Sequence, residues 1–131
     1  MNTSTLSGIC IALVAFIHLM PGMGVLGVDR LATLYGINAA EVNLQVLMRH
    51  RAVLFALLGA FMLASAFYVP WRLPAYGFAF ISVLSFLWLA STVGGVNAQL
   101  SRVVWVDWVA LGLLVLGATA EMVNKVNGGA S

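Results

Sequence analysis

Six residues of this apolar chain have types that could do chemistry: His18, His50, Asp107, Arg49, Arg51 and Arg102. A His/His/Asp set can in principle hold a metal ion or move a proton. An arginine offers a planar fork of donors to a carboxylate, phosphate or carbonyl. Asp107 stands between Trp105 and Trp108, about a turn and a half inside the last apolar run. An ionisable group within a span is costly and calls for a partner, here Arg49, Arg51 or Arg102. His18 continues a stripe of small residues, Gly8, Ala12 and Ala15, and so points into a bundle, where a lone histidine is more often a hydrogen-bonded core residue than a ligand. The three groups are far apart in sequence. No metal ligand set and no cofactor is assigned, and haem attachment lacks a motif.

The cluster Arg49-His50-Arg51 opens a long uncharged stretch, residues 52–71. Side chains two positions apart on a helix point about 200° apart, so both arginines cannot face inward. Ala52, Ala56, Ala60 and Ala64 repeat every four residues in the manner of a close-packing seam. That pattern places Arg49 inward at the head of the seam and Arg51 outward as an interfacial anchor. Asn97, Gln99 and Arg102 either close over the site as a polar lid or cap the last helix.

The elements that must position these groups follow from composition. Of 131 residues, 63% are hydrophobic and 8% charged, with a mean hydropathy of +1.05. Soluble domains carry about 25% charged residues, so lipid is the expected solvent. A span takes roughly 20 apolar residues, and four of them use most of the chain as one domain. A net charge of +2 without a basic run gives no case for nucleic acid. The single cysteine, Cys10, excludes disulfide frameworks, CxxC pairs and cysteine-rich zinc sites. With no Lys or Arg before residue 8 and no small-x-small cleavage site, the first segment reads as a mature helix.

The expected fold is an all-α integral membrane four-helix bundle with helices over residues 5–20, 39–69, 75–92 and 102–123. Pro21 to Gly24 ends or kinks the first of these. Val28, Leu31, Leu34 and Tyr35 predict a short amphipathic helix lying on the membrane interface in the first loop, stopped by Gly36. Asn38 and Glu41 resemble a capping box that starts the long second helix. Residues 69–74 form a hairpin turn with Trp71 and Arg72 at the interface. This topology puts seven of the ten charged residues and both histidines on one membrane side, leaving Arg72, Glu121 and Lys125 on the other. Four Lys and Arg against two favour a cytoplasmic location for the crowded side; with Arg49 and Arg102 set aside as functional, the count is two against two and gives no orientation.

A short four-span chain whose second helix opens on Arg49 and His50 and continues through Ala52 and Ala56 to Gly59 resembles the DoxX-like group of small bacterial membrane proteins. The resemblance covers the whole chain and implies a left-handed four-helix bundle in the bacterial inner membrane. Founding members of that group associate with quinone-linked sulfur oxidation, but no catalytic residues carry over. The expected function is therefore an accessory or amphiphile-binding role. A lipid or quinone head would meet Arg49 and His18, with His50, Arg102, Asp107, Asn97 and Gln99 nearby. Membrane lipids, a second copy or a partner subunit are the expected company. The alternatives are a membrane-embedded enzyme with a His/Asp/Arg site and a small transporter. Against the transporter, the first helix lacks the glutamate of the small multidrug resistance proteins.

Overall fold

A computed structural model describes residues 2–38 and 41–128, and all regular elements among them are helical. Helix α1 spans Thr3–Leu19, α2 Val28–Tyr35, α3 Val42–Phe67, α4 Arg72–Val93 and α5 Ala98–Gly128, with 3-10 turns at Met20–Leu26 and Val69–Trp71. Four segments, Thr3–Leu26, Val42–Phe67, Val69–Val93 and Ala98–Gly128, are long and apolar enough to cross a membrane.

Each helix end has a local cause. The Asn2 side chain accepts from the Thr5 amide at 2.7 Å and starts α1. The α-helix ends at Leu19, just before Pro21, as expected, but Pro21 does not end the apolar segment. It tightens the helix into a 3-10 turn that runs on to Leu26, because proline fits the first positions of a helical turn, where its missing donor is not needed. Gly36, at φ 61, stops α2 in the left-handed region. Glu41, rather than Asn38, caps α3: its two carboxylate oxygens accept from the Asn43 and Leu44 amides at 2.9 and 2.7 Å. Those bonds hold the Glu41 carboxyl below its ordinary 4.5. The expected start of this helix, Ala39 and Ala40, lies outside the described residues. From Val42 the helix is 26 residues long, or about 39 Å, still longer than the ~30 Å hydrocarbon core.

Helix α1 is the centre of the bundle, packed against α3 and α5, and α4 closes against both of these. In lipid, apolar burial alone gives little drive for helices to associate, so close approach and polar contacts matter more. Gly59 lets α3 approach α1 closely: a Cβ there would lie 2.8 Å from Leu19 and 3.1 Å from the Ala15 carbonyl. The four-residue alanine repeat does not form the seam. On a helix of 3.6 residues per turn each such step drifts about 40°, or about 120° over three steps. Ala52 is buried and Ala56 half-buried, but Ala60 and Ala64 are exposed. The packed face runs instead through Ala52, Gly59 and Met62.

The short helix α2 forms, with its apolar face turned onto the bundle. Leu31 and Tyr35 are buried in a second small core with Met48 of α3 and Leu100 and Val103 of α5. Asn97 pins it by donating to the Tyr35 carbonyl at 2.7 Å.

Candidate functional site

The same drift that moves the alanines off the packed face decides the arginines. Arg51 lies one helical turn before half-buried Phe55 and turns inward, contrary to its expected role as an outward anchor. Its guanidinium carbon sits 5.2 Å from the centre of the Tyr35 ring, 5.1 Å from Phe55 and 5.9 Å from Phe86. Those rings come from α2, α3 and α4. A cation among aromatic faces gains about 0.5–2 kcal/mol depending on desolvation, which lets the charge sit within the bundle. Among the described residues Arg51 donates no hydrogen bond, and Gln99, Arg102 and the Asp107 carboxylate likewise have no side-chain hydrogen bond. These four groups face one another across a cavity of about 340 Å³ that His18, Tyr35, Phe55 and Phe86 also line.

A second cavity, of about 520 Å³, lies beside it and is walled mainly by α3 and α4. Its lining is apolar apart from Arg51, Ser82 and Ser85, and includes Leu89, Ala90, Val93, Val96 and Leu100. Arg51, Phe55 and Phe86 border both spaces. The inner space therefore holds unpaired polar groups and the outer one aliphatic surface, with one cation between them.

His18 is 2% exposed, on the inward stripe of α1. Its Nδ1 lies 3.0 Å from the Val14 carbonyl, which can only accept, so the proton is on Nδ1. In the neutral ring, Nε2 then accepts from the Ser82 hydroxyl at 3.2 Å. The ring stacks on Phe55 at 5.5 Å. Both nitrogens are occupied, and the imidazole contributes a wall rather than a free base.

Arg49 is exposed, against the expectation that it heads the packed face, and its Nε donates to the Val25 carbonyl at 3.1 Å. It fastens the 3-10 turn to α3. His50 is also exposed and lines neither cavity, so His18, His50 and Asp107 do not converge. No three His, Cys, Asp or Glu side chains among the described residues gather closely enough to hold a metal ion. Asp107 reaches the inner cavity without forming an ion pair; the one pair among the described residues lies elsewhere. Its charge is still felt at Tyr35. Burial raises that phenol above its ordinary 10.0, Arg51 pulls it back and Asp107 adds to the rise. Asn97 caps α5 by accepting from the Leu100 amide at 2.8 Å. Gln99 and Arg102 line the cavity mouth.

The opposite end holds a polar cluster that the sequence expectation missed. Arg72, expected as a cation at the interface, is 6% exposed and turned into the bundle. Its Nε donates to the Ser65 carbonyl at 3.2 Å, one terminal nitrogen to the Ser4 carbonyl and hydroxyl at 2.8 and 2.9 Å, and the other to the Ala66 carbonyl at 2.8 Å. Glu121, fully buried, pairs with it at 3.5 Å and has no hydrogen bond of its own. Tyr76 donates to the Ser7 carbonyl at 2.8 Å beside them. The signal was available: Glu121, like Asp107, is a lone carboxylate in the last apolar run.

Compared with protein-family models, curated proteins and solved structures, the chain matches none.

Proposed function

We propose that this chain is an integral membrane protein that binds an amphiphile, with the polar head in the inner cavity and the apolar tail in the groove between α3 and α4. The observation that carries this reading is Arg51, which borders both a polar and an aliphatic space and has no hydrogen-bond partner among the described residues. Ligand sites combine apolar walls with a few placed polar groups in volumes of roughly 300–1,000 Å³, and both cavities fall in that range. The membrane setting is supported by the four apolar helices. All four tryptophans, Trp71, Trp88, Trp105 and Trp108, are exposed, as suits aromatic belts near lipid headgroups. In this setting α2 lies at the interface with its polar side toward the headgroups.

With Arg51 and Arg72 withdrawn into the bundle, Arg30, Arg49 and Arg102 are exposed at the cavity end and Lys125 at the other. The bias toward positive charge on the inside supports a cytoplasmic location for the cavity. A bacterial inner membrane of the DoxX-like kind fits this arrangement. An enzymatic reading with His18 as base has less support, since both ring nitrogens are engaged.

The test is mass spectrometry of lipids and quinones retained by the protein extracted directly from native membrane, comparing wild type with Arg51→Ala and Phe86→Ala. Wild type is expected to retain a defined amphiphile and both variants to lose most of it. No retained species in wild type, or unchanged retention in folded variants, sinks the reading.

A further inference from the structure

Resting on the amphiphile reading, the inner cavity also constrains the chemistry of the head. Arg51 and Arg102 each present five N–H donors and no acceptor, Gln99 offers both kinds, and the Asp107 carboxylate only accepts. His18 adds no free group, because its nitrogens are taken by Val14 and Ser82. Two guanidinium charges and one carboxylate leave a formal +1 among these residues. The complementary head carries one negative charge with several acceptor oxygens, and a separate donor for Asp107.

We propose that the ligand is an anionic glycerophospholipid whose single phosphodiester charge lies between Arg51 and Arg102 and whose head hydroxyls donate to Asp107 and Gln99. A phosphoglycerol head meets every term. A quinone brings carbonyl acceptors, but neither a charge for the arginines nor a donor for the carboxylate. A zwitterionic phosphoethanolamine head offers its ammonium to Asp107 and leaves the +1 unbalanced. A terminal phosphate monoester overshoots in charge and gives the carboxylate no hydroxyl. Arginine suits the phosphodiester because its planar fork binds two oxygens at once.

The experiment is native mass spectrometry of the delipidated full-length protein in detergent, titrated with lipids of identical acyl chains. The heads are phosphoglycerol, phosphomethanol and phosphoethanolamine, with a short-chain ubiquinone as a further probe. Phosphomethanol keeps the phosphodiester charge and lacks the hydroxyls, so it isolates the Asp107 contact. Wild type is expected to bind phosphatidylglycerol about tenfold more tightly than phosphatidylmethanol, since one charge-assisted hydrogen bond is about 1.4 kcal/mol or more. The preference over phosphatidylethanolamine is expected to be at least about as large. Asp107→Ala is expected to erase the first preference and keep the binding. Arg51→Gln and Arg102→Gln are expected to weaken both anionic lipids together. Glycerophosphoglycerol, the same head without acyl chains, is expected to compete poorly.

Equal binding of phosphatidylglycerol, phosphatidylmethanol and phosphatidylethanolamine, or preference for the quinone, overturns the assigned head while an amphiphile site remains. Equal competition by glycerophosphoglycerol removes the tail groove and leaves the head chemistry. Absence of any lipid or quinone binding overturns both. If Asp107→Ala does not fold, the wild-type comparison of phosphatidylglycerol with phosphatidylmethanol still decides the hydroxyl contact.

Discussion

The two ends of the bundle use similar side chains in opposite ways. At the end holding Thr3 and Asn124, Arg72 donates to the carbonyls of Ser4, Ser65 and Ala66 and to the Ser4 hydroxyl, and it pairs with Glu121. At the other end, Arg51 and Asp107 line an open space together, form no ion pair, and rely on aromatic rings and distance. A buried cation satisfied by backbone carbonyls ties helices together, whereas one whose donors remain unclaimed is held ready for something else. Packing differs as well. Gly8 and Gly117 let α1, α4 and α5 close at the Arg72 end, and Phe55 and Phe86 line both cavities at the other.

The strongest way to break this contrast is to remove half of the buried pair. Arg72→Ala strands the Glu121 carboxylate, and loss of one partner of a buried pair destabilises by about 3–5 kcal/mol. Thermal or denaturant unfolding in detergent should show that loss, and Lys125→Ala, an exposed charge at the same end, should show none. If Arg72→Ala unfolds like wild type, the terminal cluster does not hold the bundle together.

Next in size is the packing that closes this end. A Cβ on Gly117 would press on the Tyr76 hydroxyl and lie 2.6 Å from the Cys10 Cβ, while Gly112 has open space around it. Gly117→Ala is therefore expected to lower stability by about 1–3 kcal/mol through overpacking. Gly112→Ala should leave it unchanged or raise it by up to about 1 kcal/mol through helix propensity. Equal effects in unfolding experiments would remove the asymmetry.

A smaller effect is expected at the open end. Arg51→Ala loses cation–π contacts and no hydrogen bond to a described residue, so its stability should fall by no more than about 2 kcal/mol. That is less than the loss from Arg72→Ala, although Arg51 touches three helices. A larger loss would mean that Arg51 is structural.

The finest comparison is electrostatic and reads the cavity without a ligand. Asp107 raises the Tyr35 phenol and Arg51 lowers it. Replacing the carboxylate by Asp107→Asn should therefore make Tyr35 ionise at lower pH. Replacing the cation by Arg51→Gln should make it ionise at higher pH, because phenolate is favoured by a neighbouring cation and disfavoured by an anion. Ultraviolet titration of tyrosine, with Tyr35→Phe to identify its signal, measures both shifts. Shifts of the same sign would place one of the two groups away from Tyr35.

Much of the architecture is legible in the sequence, because long apolar stretches and their breakers act locally. The four apolar spans, the short helix before Gly36 and the turn at Val69–Trp71 all follow from residue types and spacing. Reading the charges was harder. Arg49 and Arg51 occupy opposite faces in either assignment, and an alanine repeat of four pointed to the wrong one because it drifts around the helix. Arg72 looked like an interfacial cation beside Pro70 and Trp71, since nothing local reveals that carbonyls from α1 and α3 meet it.

By itself the sequence determined an all-helical chain with four membrane-length segments, polar groups gathered toward the α2 end, and the inward direction of His18. Hydropathy and helix caps act within a few residues, so these features need no knowledge of neighbours. Only the tertiary structure decided that Arg51 enters the bundle, that Arg49 and His50 do not, and that Glu121 finds Arg72. Those outcomes depend on which helix faces meet, and that is set by close packing at Gly59, Gly8 and Gly117 between segments far apart in the chain.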